Sequence, residues 1–312
     1  MMNNLEIPVI EIGDLITSDI HSNSPIVSAI KDALQNIGFF YISNHGLSIE
    51  ELQKGLELSK RFFQLPPEEK SKLSKPQGVN ALGYMATGVE NADDSNPNLI
   101  DLKEAINFSV HEPHPYYTPN AWPPESVLPH WKEELKELGE KLEMIARRIV
   151  VAFALAMGEE GDFLSKWFNP LSYSVLRLLR YPPTPLEGGI GCGAHSDYGL
   201  STLLIQDSIG GLQILYKGEW IDATPIPGTI VVNVGDCMEY LTNGAFKATK
   251  HRVINKSHSL ERHVCLVFCE PDYKMPMKVA EAFKDRTPLT IWERTPTFGE
   301  HLTRRLGATY TY

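Results

Sequence analysis

The sequence predicts a mainly β protein with flanking helices, and three observations carry that expectation. The second half holds seven short apolar runs, "YSVLRLLRY", "STLLIQD", "GLQILY", "GEWIDA", "GTIVVNVGD", "HRVIN" and "RHVCLVFCEP", separated by Gly, Pro and Asn turns. That texture is typical of an antiparallel barrel or sandwich. One long amphipathic segment precedes these runs, and the first half mixes short strands with helices. The architecture expected is a double-stranded β-helix (jelly roll) core with an N-terminal α/β region. Residues 1–130 form the helical and mixed region, residues 131–312 the long helix plus the core, and the two make one integrated unit.

"IPVIEI" (Ile7 to Ile12) is a short strand with partial alternation, and the segment from Ser24 is a helix entered with Pro25 in its first turn. "GFFYISNHG" (Gly38 to Gly46) is an aromatic and β-branched strand stopped by an Asn-His-Gly turn. "SIEELQKGLELSKRFFQL" opens with a Ser-x-x-Glu capping box at Ser48 and ends at Pro66 and Pro67. From Val79 to about Pro129 the chain reads as irregular, and a loop region this long is expected to serve or cover a site. From Trp131 to Met157, Leu135, Leu138, Leu142, Ile145, Ile149 and Phe153 recur at three- and four-residue steps, with Gly158 as the stop.

The chain of 312 residues carries a formal net charge of −10, so no global positive field draws in nucleic acid or an anionic membrane. Cys192, Cys237, Cys265 and Cys269 form no CxxC pair, which predicts free thiols in a reducing compartment. "MMNNLEIPVIEIGDL" lacks a basic and an apolar signal region, and the longest apolar run, "IVVAFALAMG", is too short to span a bilayer. A cytoplasmic monomer acting on a small molecule is the expectation.

Chemistry concentrates in "GAHSDYGLSTLL", where His195 and Asp197 stand two apart at a strand entrance after a Gly-rich approach. A metal needs a third ligand. His251 is the best candidate, because it opens a strand that a jelly roll returns beside the first pair. Two imidazoles and one carboxylate leave open positions, as in the facial triad of non-haem Fe(II) oxygenases. A structural zinc site is closed with four ligands, often cysteines, and Cys192 and Cys237 lack the paired spacing for one. His21, His45, His111, His114, His130, His258 and His301 read as structural or surface residues.

These residues fall within a set of collinear motifs. "IPVIEI", "GFFYISNHGL", "RFFQLPPEEK", "RYPPTP", "HSD", "NVGD" with "TNG", "HRV" and "FCEP" together resemble the Fe(II)/2-oxoglutarate-dependent dioxygenases, in the isopenicillin N synthase-like branch. The resemblance covers nearly the whole chain. It implies that His195, Asp197 and His251 bind Fe(II), and that Arg262 and Tyr181 bind the distal carboxylate of 2-oxoglutarate. With O2, a small metabolite is hydroxylated, desaturated or otherwise oxidised at a C–H bond, releasing succinate and CO2. The alternatives are a 2-oxoglutarate-independent iron oxidase on the same scaffold, or a small-molecule binding protein.

Two positions depart from the family pattern. Val264 replaces the serine of Arg-x-Ser, and Leu179 replaces the asparagine that plant members carry two residues before the tyrosine. A hydrogen bond to a charged group contributes about 1.5–3 kcal/mol, and the Thr202 hydroxyl or a water is the replacement expected. The substrate pocket is expected to draw on Leu82 to Gly88, Asp101 to Val110 and the C-terminal "TPTFGEHLTRRLG", with Tyr84, Asn107 and Phe108 as its lining.

Overall fold

The computed structural model describes residues 6–17, 20–78, 80–93, 95–96, 98–169, 172, 174–184, 189–287 and 296–309. The chain begins with strand β1 (Val9–Glu11), the short helix α1 (Gly13–Thr17) and helix α2 (Pro25–Asn36). Pro25 stands in the first turn of α2, where no backbone donor is required, and Val27, Ile30, Ala33 and Leu34 form its buried stripe. After strand β2 (Phe39–Ser43), helix α3 (Ile49–Phe63) opens on the expected capping box. Ser48 Oγ accepts from the Glu51 N–H (3.2 Å), and the Glu51 carboxylate accepts from the Ser48 N–H (2.7 Å). Pro67 starts a further short helix, α4 (Pro67–Ser71).

The stretch expected to be irregular contains two strands, β3 (Gly83–Met85) and β4 (Glu104–Ser109). All six β4 residues are buried, including Glu104, Asn107 and Ser109, so no polar face marks the strand in the sequence. Helix α5 (Trp131–Met157) ends as expected at Gly158, whose φ of 83° is the left-handed cap that glycine takes without strain.

After α6 (Asp162–Ser165) come strands β5 (Val175–Tyr181), β6 (Gly189–His195), β7 (Ser201–Gln206), β8 (Leu212–Tyr216), β9 (Glu219–Asp222) and β10 (Ile230–Val234). Helix α7 (Asp236–Leu241), strands β11 (His251–Asn255) and β12 (Arg262–Cys269), and helix α8 (Phe298–Thr309) complete the chain. Strand β6 is the addition to the seven expected runs, because Gly189, Gly191 and Gly193 hide its pattern. A Cβ on Gly191 would lie 2.6 Å from the Tyr181 ring, so glycine lets that ring pack under the strand.

The strands form an eight-stranded sheet, β1-β2-β10-β7-β12-β5-β4-β3, and a four-stranded sheet, β6-β11-β8-β9. The inner faces share one apolar cluster, with Phe39, Val231, Val264 and Leu266 from the large sheet and Cys192, Ile214 and Val253 from the small one. The outer face of the large sheet, through Phe40, Val232, Leu203, Cys265 and Val267, packs under α2, α3 and α5. Each fully buried Leu, Ile or Phe there contributes about 1.5–3 kcal/mol. The N-terminal strands join this core directly, β2 pairing with β10 and β4 with β5.

Candidate active site

His195 is the last residue of β6 and His251 the first of β11, and the two are partners in the antiparallel register. Their rings therefore face the same way, with centroids 4.3 Å apart. Asp197, two residues beyond β6, brings Oδ1 within 3.8 Å of His195 Nε2 and 3.7 Å of His251 Nε2. One ligand atom from each of the three lies within 4.8 Å of the others.

The surrounding bonds orient all three. The Nδ1 atoms of His195 and His251 bond the carbonyls of Gly193 (2.8 Å) and Thr249 (3.1 Å), which directs the Nε2 lone pairs toward Asp197. Asp197 Oδ2 accepts from Thr202 Oγ1 (2.6 Å) and Asn233 Nδ2 (2.7 Å), themselves cross-strand partners, and Oδ1 is left for a metal. Thr202 is thus committed to orienting Asp197 and does not replace the serine missing at Val264. Burial holds both imidazoles below their usual range, His251 at about 4, so they are neutral. Burial alone would push the Asp197 carboxyl up, but His251, His195 and its two hydrogen bonds bring it down and keep it ionised. Two neutral imidazoles and one carboxylate suit Fe(II).

Arg262 opens β12 opposite Tyr181. Its guanidinium is fully buried, lies 4.9 Å from the Tyr181 ring centroid, and donates from Nη2 to Gln206 Oε1 (3.3 Å). Nε and Nη1 have no partner among the described residues. A buried cation with two unused donors is matched to an incoming carboxylate. Burial pushes the Tyr181 phenol up to about 12, so it stays protonated beside that guanidinium.

A cavity of about 140 Å³ between the sheets is lined by the His/Asp/His cluster, Arg262 and Tyr181. Asn107 also lines it, but Tyr84 and Phe108 do not. Alternation along β4 turns Phe108 to the opposite face, where it stacks on Trp122 with centroids 4.3 Å apart. Tyr84 lies against Phe62 and donates to Glu104. The sequence reading missed Glu90, Arg177 and Glu270, which also line the cavity, as does Lys103 from the expected Asp101 to Val110 stretch. Arg177 bonds both oxygens of Glu90, and Lys103 bonds Asp101 (2.8 Å) and lies 3.5 Å from Glu90. Burial pushes the Glu90 carboxyl up, yet Arg177 and Lys103 outweigh it and hold the group at about 2. Glu270 moves the other way, raised by burial and by Asp197.

Helix α8 closes the cavity with Leu302, Leu306 and Thr309, from the C-terminal segment expected there. Buried Asp236 ties it to the His195–Asp197 loop. Its Oδ1 accepts from Ser196 Oγ (2.7 Å), while Oδ2 pairs with His301 Nε2 (3.4 Å) and Arg305 Nε (3.2 Å). His301 is buried in this contact, and His45 and His114 are buried as well, so none of the three is a surface histidine.

Residues 7–125 match the family described as non-haem dioxygenase in morphine synthesis N-terminal, and residues 172–271 match the 2OG-Fe(II) oxygenase superfamily. A 2-oxoglutarate-Fe(II) type oxidoreductase of Aspergillus fumigatus is 34% identical, the match covering 85% of this chain and 83% of the relative. A homoarginine-6-hydroxylase of Arabidopsis thaliana is 33% identical, covering 91% and 90%. A full-length Neurospora crassa protein, whose crystal structure is a complex with alpha-KG and thymine, superposes with a TM-score of 0.83 at 28% identity, covering 99% of this chain and 98% of that one. The chain belongs to the 2-oxoglutarate- and Fe(II)-dependent oxygenases, enzymes that oxidise small molecules with O2 and 2-oxoglutarate.

Proposed function

We propose that His195, Asp197 and His251 hold Fe(II), that Arg262 and Tyr181 hold the distal carboxylate of 2-oxoglutarate, and that the enzyme hydroxylates a small metabolite seated beside Asn107. The observation that carries this reading is the buried Arg262 guanidinium, with Nε and Nη1 unpartnered among the described residues in the same cavity as the His/Asp/His cluster. When bound, Fe(II) supplies the redox chemistry with O2. The protein's own groups do the placing. Thr202 and Asn233 fix the Asp197 carboxylate, the Gly193 and Thr249 carbonyls fix the imidazoles, and Leu302 and Leu306 of α8 keep water from the reacting end.

Hydroxylation is favoured over other C–H oxidations by the Arabidopsis relative, which is a hydroxylase. The four cysteines are buried and unpaired, which supports a reducing, cytoplasmic location. None of the described helices is long and apolar enough to cross a membrane, and the net charge of −10 argues against a nucleic-acid partner. Anaerobic titration of the Fe(II) protein with 2-oxoglutarate tests the reading through the metal-to-ligand absorption band. A saturable band that Arg262→Ala weakens is expected, and its absence from the native protein overturns the reading.

A further inference from the structure

We propose that the molecule oxidised carries one net positive charge, on an amine or guanidine, and that Glu270 and Asn107 receive its N–H groups. The inference rests on the Fe(II) and 2-oxoglutarate reading above and names the substrate class of that same site. Both residues line the cavity and are more than nine-tenths buried, at 5% and 7% exposure. Asn107 Oδ1 has no hydrogen-bond partner among the described residues, and the influences on the Glu270 carboxyl are burial and the like charge of Asp197. Buried polar groups without partners are costly, so a ligand that satisfies them gains selectively.

The neighbouring cations are otherwise occupied. Arg177 is held by Glu90 and Lys103 by Asp101, which leaves Arg262 for the co-substrate. The side-chain oxygens of Asn107 and Glu270 remain as acceptors in the cavity, and a molecule that brings N–H donors fits them.

Charge points the same way. The two charges of Fe(II) offset the two carboxylates of 2-oxoglutarate. Among the described residues, the carboxylates Glu90, Asp101, Asp197 and Glu270 then face only three cations, Lys103, Arg177 and Arg262. Burial and Asp197 favour the protonated Glu270, so without a substrate cation the count balances, and ionising Glu270 calls for one further positive charge. An unpaired buried carboxylate is unfavourable, and a monocationic substrate removes that imbalance where a neutral or anionic one does not.

The test uses matched probes that differ in charge and hardly in shape: L-homoarginine against L-homocitrulline, and pentylguanidine against pentylurea. Binding is measured anaerobically by calorimetry on the protein loaded with Fe(II) and 2-oxoglutarate. In at least one pair the guanidinium is expected to bind about tenfold or more tightly than the urea. Glu270→Gln is expected to abolish that preference, and Asn107→Leu to weaken the cation by about tenfold. The inference is overturned if the ureas bind as well as the guanidines, if no member of either pair binds, or if Glu270→Gln keeps the preference. Should Glu270→Gln not fold, unchanged cation binding in Asn107→Leu overturns it as well. An intact 2-oxoglutarate band with no charge preference removes this inference alone, whereas a missing band removes the reading beneath it.

Discussion

Val264 and Leu179 are cross-strand partners on β12 and β5, both buried, two register positions from the pair Arg262 and Tyr181. They are also the two positions where the sequence departs from the pattern it resembles, so the departures form one apolar contact. Replacing both members of a buried polar pair together leaves no stranded group and is close to neutral, while changing one alone strands a polar atom.

Single substitutions at this contact are expected to be worse than the double. Val264→Ser and Leu179→Asn each destabilise the apo protein by about 1–3 kcal/mol, since each buries a polar group against an apolar partner. The double variant recovers part of that loss, giving a favourable coupling of about 0.5 kcal/mol or more. Urea denaturation of the four proteins measures it, and strict additivity refutes the pairing argument.

Arg262 carries a stability cost that the co-substrate relieves. Arg262→Met is expected to stabilise the apo protein by about 1–4 kcal/mol, because an incompletely partnered buried cation is exchanged for an apolar side chain. The same change weakens 2-oxoglutarate binding by at least tenfold. Opposite signs in thermal unfolding and in anaerobic titration are the result sought, and a less stable variant contradicts it.

Thr202→Val removes the 2.6 Å bond that fixes Asp197 Oδ2 and leaves every ligand in place. Affinity for Fe(II) is expected to fall about 10–100-fold. Competition with a metal chelator measures this, and an unchanged affinity shows that Asn233 alone is sufficient.

Glu90 sets an acid limit. Its carboxyl is held at about 2 against an ordinary 4.5, so its contribution is complete above 4.5 and is lost as pH falls toward 2. Glu90→Gln leaves Arg177 and Lys103 under-partnered and is expected to cost about 3–5 kcal/mol at neutral pH. Between pH 4.5 and 2 the native protein should lose this advantage over the variant. A stability difference that is constant with pH rules out Glu90 as the responsible group.

Local signals were legible wherever one residue's own chemistry settles the backbone. The Ser48 capping box, the Gly158 stop and the α5 stripe form as the sequence predicts. Strand β6 was hidden because its glycines serve close packing with Tyr181 and have no side chains to alternate. Strand β4 was hidden because both of its faces are buried. Choosing Tyr84 and Phe108 for the pocket followed from treating an aromatic as a lining group, yet pleat and register place Asn107 inward and Phe108 outward.

The sequence by itself determined the family, the core architecture and the three residues of the His/Asp/His cluster, because the motifs are local runs of residue types and the expected jelly roll returns the His251 strand beside His195 and Asp197. Only the tertiary structure decided which polar groups share the cavity. Glu90, Arg177 and Glu270 come from distant parts of the chain, and although Glu270 lies in the "FCEP" run after β12, that run does not mark it as a cavity residue. What gives such a group chemical meaning is burial and the absence of a partner, and both arise only when two sheets and a C-terminal helix close around it.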